Sequence, residues 1–138
     1  MLNNQAKIII LDDDLFFGTL INRFLTNLGF ENVTHFLDER ECLENTLSDD
    51  YCIYILDQEL EESSGLTIMK EIRKINKKAI FIFLSGQEYC HIAIKAIKEG
   101  AIDYIEKNNS TLLDLKRLLE NLTSKGYNGF SDYSRLAV

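Results

Sequence analysis

Short apolar runs alternate with longer stretches in which apolar residues recur at helical spacing. The short runs are rich in Ile, Leu, Phe and Tyr, as is typical of buried strands. We expect strands over Lys7–Leu11, Asn32–Phe36, Tyr51–Leu56, Ala79–Leu84 and Ala101–Ile105. We expect helices over Leu15–Leu28, from a cap at Asp38 to about Leu47, over Leu66–Ile75 and Glu88–Glu99, and from Thr111 to about Leu122. This alternation predicts an α/β fold, a parallel sheet covered by helices on both faces.

Residues at the helix ends support these boundaries. Gly29 and Gly100 follow amphipathic stretches, where a left-handed residue commonly ends a helix. Asp13 or Asp14 can cap the first helix. The sequence Thr111-Leu112-Leu113-Asp114 resembles a capping box for the last helix.

Carboxylates follow two of the predicted strands directly. Asp12, Asp13 and Asp14 come after the first strand, and Asp57 comes after the third. The carboxyl ends of parallel strands meet at one edge of the sheet, where ligands bind in open α/β folds. Because carboxylates a few ångströms apart repel one another, the pattern indicates that a cation joins them.

Two further strands end in reactive side chains, Ser85 and Lys107. Asp13 and Asp57 can hold one Mg²⁺, and Asp12 can hold a coordinated water or pair with Lys107. A metal-held Asp57 can act as a nucleophile toward phosphorus. The metal and the Lys107 ammonium would neutralise the phosphoryl oxygens, and the Ser85 hydroxyl can donate a hydrogen bond to one of them.

Composition and charge narrow the function further. The 138 residues form one domain with a formal net charge of −7, which argues against direct binding of nucleic acid. No apolar stretch is long enough to span a membrane, and no signal peptide opens the chain. Three scattered cysteines (Cys42, Cys52 and Cys90) form no metal-binding spacing and favour a reducing cytoplasm.

In these motifs the chain closely resembles the response-regulator receiver domain of two-component signalling. The resemblance covers about Ala6 to Thr123. Its marks are the acid pair Asp12-Asp13, Asp57 after Ile55-Leu56, Gly65 eight residues later, Leu84-Ser85-Gly86, and Lys107 at the end of Gly100–Lys107. Each of these motifs alone is weak evidence for the family. Together, in this order and at family-like spacing, they are strong evidence.

The resemblance implies a flavodoxin-like, doubly wound sheet of order 2-1-3-4-5 with five helices. It implies phosphorylation of Asp57 by a histidine kinase or histidine phosphotransfer protein. The metal, Mg²⁺ or Mn²⁺, would be bound by Asp13, Asp57 and the backbone carbonyl of Glu59, with Asp12 beside it.

A switch is implied as well. The Ser85 hydroxyl would move toward the phosphoryl group, and the ring of Tyr104 would turn inward. The face of the fourth helix, fifth strand and fifth helix would then contact a downstream protein. On this interpretation the chain is a regulatory domain and not an enzyme.

Three positions depart from the family pattern. Glu61 and Asn108 stand where proline is usual, and Ser85 stands where threonine is commoner. The usual proline after the lysine has a cis peptide bond, so the Lys107–Asn108 bond is either cis under strain or trans with a re-routed loop. Glu59 and Gln87 flank the expected phosphoryl group and tune its lifetime in this family.

Several alternatives stay open. We expect residues 1–123 to form the receiver domain and residues 124–138 a tail that is either frayed or docked. The chain either acts alone through protein contacts or is the first domain of a longer protein, and its leucine-rich last helix could support a homodimer. A receiver-like docking module that does not use phosphate is the main functional alternative. A small phosphatase that forms an aspartyl phosphate is a weaker one.

Overall fold

The computed structural model describes residues 5–86 and 90–124. Five strands, β1 to β5, comprise Lys7–Leu11, Asn32–Phe36, Cys52–Asp57, Ile80–Ser85 and Asp103–Glu106. Five helices, α1 to α5, comprise Leu15–Asn27, Glu39–Glu44, Gly65–Ile75, Cys90–Lys98 and Thr111–Ser124. The strands form one sheet of order β2-β1-β3-β4-β5, with every pairing parallel. The predicted fold class and strand order are confirmed.

Two hydrophobic clusters cover the two faces of the sheet. Successive strand residues point to opposite faces, so Ile8 and Ile10 lie in one cluster and Ile9 and Leu11 in the other. The first cluster is completed by α1 and α5, with side chains such as Leu25 buried in it. The second is completed by α2, α3 and α4. Because both faces are covered, β3 and β4 are apolar up to their last residues, Asp57 and Ser85.

The register of the strands aligns their carboxyl ends. Leu11 pairs with Leu56 across β1 and β3, Asp57 pairs with Leu84 across β3 and β4, and Ser85 pairs with Glu106 across β4 and β5. The residues that follow β1, β3, β4 and β5 therefore leave the sheet at one edge. This alignment brings together side chains that are up to 95 residues apart in the sequence.

Most of the predicted helix ends agree with the structure. Asp14 caps α1, accepting a hydrogen bond from the Phe17 amide, and Asp38 caps α2. Gly29 and Gly100 have φ angles of 107° and 109°, the left-handed region that glycine adopts without steric cost. The predicted start of α4 at Glu88 and residues 125–138 of the predicted tail lie outside the described residues, and Ser124, the first residue of that tail, is the last residue of α5.

Three boundaries were predicted wrongly, each because a local hydrogen bond decides the structure. Helix α2 ends at Glu44 and not near Leu47, since side chains of the following residues bond to its last carbonyls. Strand β5 begins at Asp103, because the Ala101 amide still bonds back to α4. Thr111 is already helical, and its hydroxyl bonds to the carbonyls of Glu106 and Asn108 instead of capping α5.

An arginine on α3 binds the end of α4. The guanidinium of Arg73 donates to the carbonyl oxygens of Glu99, at 2.8 Å, and Gly100, at 3.3 Å. It also lies over the ring of Phe81 in β4, 5.0 Å from the centroid. A Cβ atom on Gly100 would approach the guanidinium to 2.1 Å, so glycine is needed there for space as well as for its backbone angle. Arg73 thus joins the C-terminal end of α4 to α3 and the sheet.

Candidate functional site

Three aspartates converge at the carboxyl edge of the sheet. Asp12 follows β1 and is 1% exposed, Asp57 ends β3 and is 3% exposed, and Asp13 is exposed beside them. One carboxylate oxygen from each lies within 4.8 Å of the others. The sequence separates Asp57 from the pair by more than 40 residues, and the β1–β3 register brings them together.

Lys107 supplies the only cation that the described residues place within 4 Å of this group. Its Nζ atom lies 3.0 Å from Oδ2 of Asp12 and 3.4 Å from Oδ1 of Asp57. The ring of Phe17 lies 4.6 Å from the same nitrogen. The Lys107–Asn108 peptide bond is trans, and the Lys107 amide bonds to the Ser85 carbonyl at 2.7 Å. Although Asn108 stands where proline is usual, the Lys107 ammonium is still directed at Asp12 and Asp57.

The pKa values of both Asp57 and Lys107 are raised in this site, for different physical reasons. Burial, followed by the neighbouring charge of Asp12, raises the pKa of Asp57 from 3.8 to about 7, although Lys107 counteracts the rise. Burial acts to lower the pKa of the Lys107 ammonium, but the charges of Asp12 and Asp57 together raise it above its ordinary value. The site therefore holds more negative charge than Lys107 balances, as expected of a cation site.

The loop after Asp57 is tightly folded back on the strand. The Glu59 amide donates to Oδ1 of Asp57 at 3.2 Å, and the Gly65 amide donates to the Gln58 carbonyl at 3.1 Å. A Cβ atom on Gly65 would lie 2.6 Å from the backbone carbonyl oxygen of Asp57 and 2.8 Å from the ring of Phe83. Glycine at this position thus allows α3 to begin against the acceptor strand.

The carboxylate of Glu59 turns from the surface toward the end of β4. Its Oε1 atom accepts a short hydrogen bond from the fully buried Ser85 hydroxyl, and its Oε2 atom accepts from the Gly86 amide at 3.3 Å. The sequence analysis expected Glu59 to offer its backbone carbonyl to the metal and to flank the phosphoryl group, but it did not predict this contact of the side chain with Ser85 and Gly86. The feature of the sequence that could have indicated this contact is the acidic residue two positions after Asp57. Gln87, predicted to flank the site, lies outside the described residues.

Tyr104 lies next to Ser85 at the end of the sheet. Its ring stacks on Phe83 with centroids 6.3 Å apart. Its hydroxyl oxygen is buried and has no hydrogen-bond partner among residues 5–86 and 90–124. Burial raises the pKa of this phenol. The structure therefore brings both predicted switch residues, Ser85 and Tyr104, to the edge that carries the acids.

The geometry allows one chemistry in particular. A cluster of carboxylate oxygens fits a hard divalent cation, and Mg²⁺ is commonly held by one or two carboxylates together with phosphate oxygens. The Lys107 ammonium contacts Asp57, and the Ser85 hydroxyl ends the strand that pairs with Asp57. These are the groups that a transferring phosphoryl group requires.

The fold, the acidic edge of the sheet and one comparison together identify the family to which the chain belongs. The model of the response regulator receiver domain family matches residues 8–121. The chain belongs to this family, whose members are the receiver domains of two-component response regulators. No helix within the described part of the chain is long and apolar enough to cross a membrane.

Individual relatives agree with this assignment. The chain is 31% identical to chemotaxis protein CheY of Bacillus subtilis, over 73% of this chain and 84% of that one. It is 28% identical to nodulation protein W of Bradyrhizobium diazoefficiens, over 81% of this chain and half of that protein. A solved structure of response regulator TrrA from Thermotoga maritima, in complex with Mg²⁺ and BeF, is 29% identical with a TM-score of 0.68, over 83% of this chain and 99% of that one.

Proposed function

We propose that Asp57 accepts a phosphoryl group in a two-component phosphorelay. The observation that carries this proposal is the position of the Asp57 carboxylate. It is almost fully buried, lies 3.4 Å from the Lys107 ammonium, and shares a cation-sized cluster with Asp12 and Asp13. A carboxylate so enclosed reacts as a nucleophile when its charge is held by cations and its attack is directed.

The reaction transfers phosphorus between two groups without redox change. A carboxylate oxygen of Asp57 forms a bond to phosphorus while the bond from phosphorus to the donor breaks. The electron pair of that bond leaves with the donor, a histidine ring nitrogen or an acetate oxygen. Lys107 neutralises charge on the equatorial oxygens, and the Ser85 hydroxyl donates to one of them in the product.

We propose that Mg²⁺, or Mn²⁺ in its place, is bound by Asp13, Asp57 and the backbone carbonyl of Glu59, with Asp12 oriented beside it. The three carboxylates fit such an ion because their oxygens lie within 4.8 Å of one another. The ion would neutralise the acids and the incoming phosphoryl oxygens. Asp12 would complete the metal site by holding a coordinated water, and it accepts hydrogen bonds from the Asp14 amide at 2.9 Å and from Lys107.

The phosphodonor we propose is a histidine kinase or a histidine phosphotransfer protein. Leu15 and Phe16 follow the acids directly and are 63% and 77% exposed at the start of α1. Exposed apolar side chains next to a reactive edge suit contact with a protein donor. The free, buried thiols of Cys42 and Cys52 fit the reducing cytoplasm, where we place this exchange.

The output we propose is a changed contact surface on α4, β5 and α5. Ser85 and Tyr104 connect the acid edge to this surface, because Tyr104 belongs to β5 and packs on Phe83 of β4. Ile94 is 56% exposed on α4 and offers an apolar contact for a downstream protein. Since the chain spans about half or less of the first relatives it matches, any output activity of a longer protein is outside this proposal.

Intact mass tests the phosphoacceptor directly. The protein is incubated with acetyl phosphate with and without Mg²⁺, beside the Asp57→Ala variant and an Asp13→Ala variant. We expect a single metal-dependent adduct in the wild type and none in Asp57→Ala. An adduct that persists in Asp57→Ala, or that forms equally without metal, would contradict the assignment.

Two observations favour a second function, a docking module that does not use phosphate. The Ser85 hydroxyl is already bonded to an acid, and the Tyr104 hydroxyl is already buried. The expected signature of such a module is partner binding that the Asp57→Ala change and added beryllofluoride both leave unaltered.

A further inference from the structure

The Glu59 carboxylate bonds to two donors at the end of β4. One is the Ser85 hydroxyl, and the other is the Gly86 amide at 3.3 Å. Ser85 is fully buried, whereas Glu59 is a surface residue, so the glutamate side chain reaches inward to make this contact. Ser85 is the last residue of the strand that pairs with Asp57, and Gly86 follows it directly. The Glu59 amide donates to Oδ1 of Asp57 at 3.2 Å, so this contact lies beside the Asp57 carboxylate.

Each of these donors has one hydrogen. A serine hydroxyl and a backbone amide can each make one strong hydrogen bond as a donor. A phosphoryl oxygen on Asp57 and the Glu59 carboxylate therefore cannot both receive the Ser85 hydrogen. The phosphoryl oxygen and the Glu59 carboxylate are also both anionic, and two negative charges beside the same donor repel each other.

We propose that Glu59 is an internal anion that occupies the phosphoryl position at Ser85 and Gly86 and must leave before that position can be filled. This inference rests on the proposed phosphorylation of Asp57. It makes Glu59 a residue that sets how readily the chain takes up a phosphoryl group. Asp57 remains free to attack, but the hydroxyl that would stabilise the product is available only after the glutamate has turned away.

The same loop contains a matched control for charge. Glu61 is exposed two residues further along the loop. Within the part of the chain that the structure describes, it makes no hydrogen bond or ion pair with Ser85 or Gly86. Glu59→Gln and Glu61→Gln remove the same charge from the same loop. Glu59→Ala removes the side chain that reaches Ser85. A difference between the variants at positions 59 and 61 therefore reports the loss of the contact with Ser85 and Gly86, and not the loss of negative charge from the loop.

The first experiment is a titration with beryllofluoride at saturating Mg²⁺, followed by amide NMR. We expect Glu59→Gln and Glu59→Ala to bind this phosphoryl analogue about tenfold more tightly than wild type, the size of effect of a charge-assisted hydrogen bond. We expect less than about twofold for Glu61→Gln, whose exposed charge is screened. Equal gains at positions 59 and 61, or no gain at position 59, would overturn the proposal.

A second readout needs neither phosphate nor metal. In the unliganded protein the amide proton of Gly86 should shift upfield when Glu59 becomes Gln or Ala, and stay in place in Glu61→Gln. An unmoved Gly86 resonance would show that the contact is not made. The Gly86 resonance could instead shift while no variant binds beryllofluoride and Asp57 forms no adduct. The contact of Glu59 with Gly86 would then exist, but Asp57 would not be a phosphoacceptor. The proposed competition between Glu59 and a phosphoryl group would fail for that reason.

Discussion

The imidazole of His35 occupies the space that a side chain at Gly18 would need. A Cβ atom built on Gly18 of α1 would lie 2.1 Å from two atoms of the His35 ring. The Nε2 atom of that ring lies 2.8 Å from the backbone carbonyl oxygen of Asp12. Gly18 therefore lets β2 and α1 approach closely enough for His35 to hold the backbone of the first acid.

Gly18→Ala should lower the free energy of unfolding by about 1–3 kcal/mol, because the methyl group must displace the His35 ring in a packed interior. Chemical denaturation measures this change. Gly86→Ala is the matched control, since a Cβ atom there would meet nothing within 4 Å. Equal losses in the two variants would mean that the close contact with His35 is not the cause.

Asp57 should make the metal-free protein less stable as pH rises. Its pKa is about 7 in the folded chain against 3.8 ordinarily, so between these values the folded state binds more protons than the unfolded state. The free energy of unfolding then falls as pH rises from about 4 to about 7. At about 1.4 kcal/mol per pKa unit, the loss is on the order of 2–4 kcal/mol above pH 7.

Asp57→Asn removes this titration. The variant should be more stable than wild type at pH 8 without metal, and the difference should shrink toward zero near pH 4. Denaturation curves at several pH values, with Glu62→Gln as an exposed control, measure this. A stability difference that does not depend on pH would contradict the assignment of the raised pKa to Asp57.

Lys107→Met should separate metal binding from phosphoryl transfer. Loss of the ammonium leaves Asp12 and Asp57 without their cation, so Mg²⁺ should bind more tightly while the metal-free protein loses about 3–5 kcal/mol of stability. Phosphorylation of Asp57 by acetyl phosphate should nevertheless slow by at least about tenfold, because one charge on the phosphoryl oxygens is no longer neutralised. Calorimetry and intact mass measure the two effects. Weaker Mg²⁺ binding would mean that Lys107 supports the metal site instead of competing with it.

Phe16→Ala should distinguish a protein donor from a small one. The ring is 77% exposed beside the acids, so its loss removes contact area for a partner and leaves the reactive groups in place. Transfer from a phosphorylated histidine phosphotransfer protein should slow by about tenfold or more, and the rate with acetyl phosphate should stay within about twofold. An equal slowing with both donors would show that Phe16 acts on the site itself.

The fold and the acid edge could be predicted because both depend on short-range patterns. Each buried strand is an uninterrupted apolar run, and the reactive residue follows it directly, as at Asp57 and Ser85. Parallel pairing then determines that these ends meet. Lys107 could be predicted in the same way, since it follows β5.

Side-chain contacts across the site could not be predicted from these patterns. Glu59 was expected in the loop, but the direction of its carboxylate depends on where the Ser85 hydroxyl and the Gly86 amide lie after folding. Thr111 suits a helix cap in the sequence, yet its hydroxyl is used by the backbone of the preceding loop. The partners of Glu59 are distant in the sequence, and those of Thr111 are backbone carbonyls of the loop just before it, so in neither case does the residue type alone determine which hydrogen bond is made.

The bond from Arg73 to the end of α4 also determines how that helix can respond. Its guanidinium joins the carbonyls of Glu99 and Gly100 to α3, next to Phe81 of the central sheet. The C-terminal end of α4 is therefore tied to α3 and the sheet, and we predict that a rearrangement that begins at Ser85 swings the helix about this end. The contact surface that we propose on α4, β5 and α5 would then change by a rotation whose largest displacement lies near the acidic edge of the sheet.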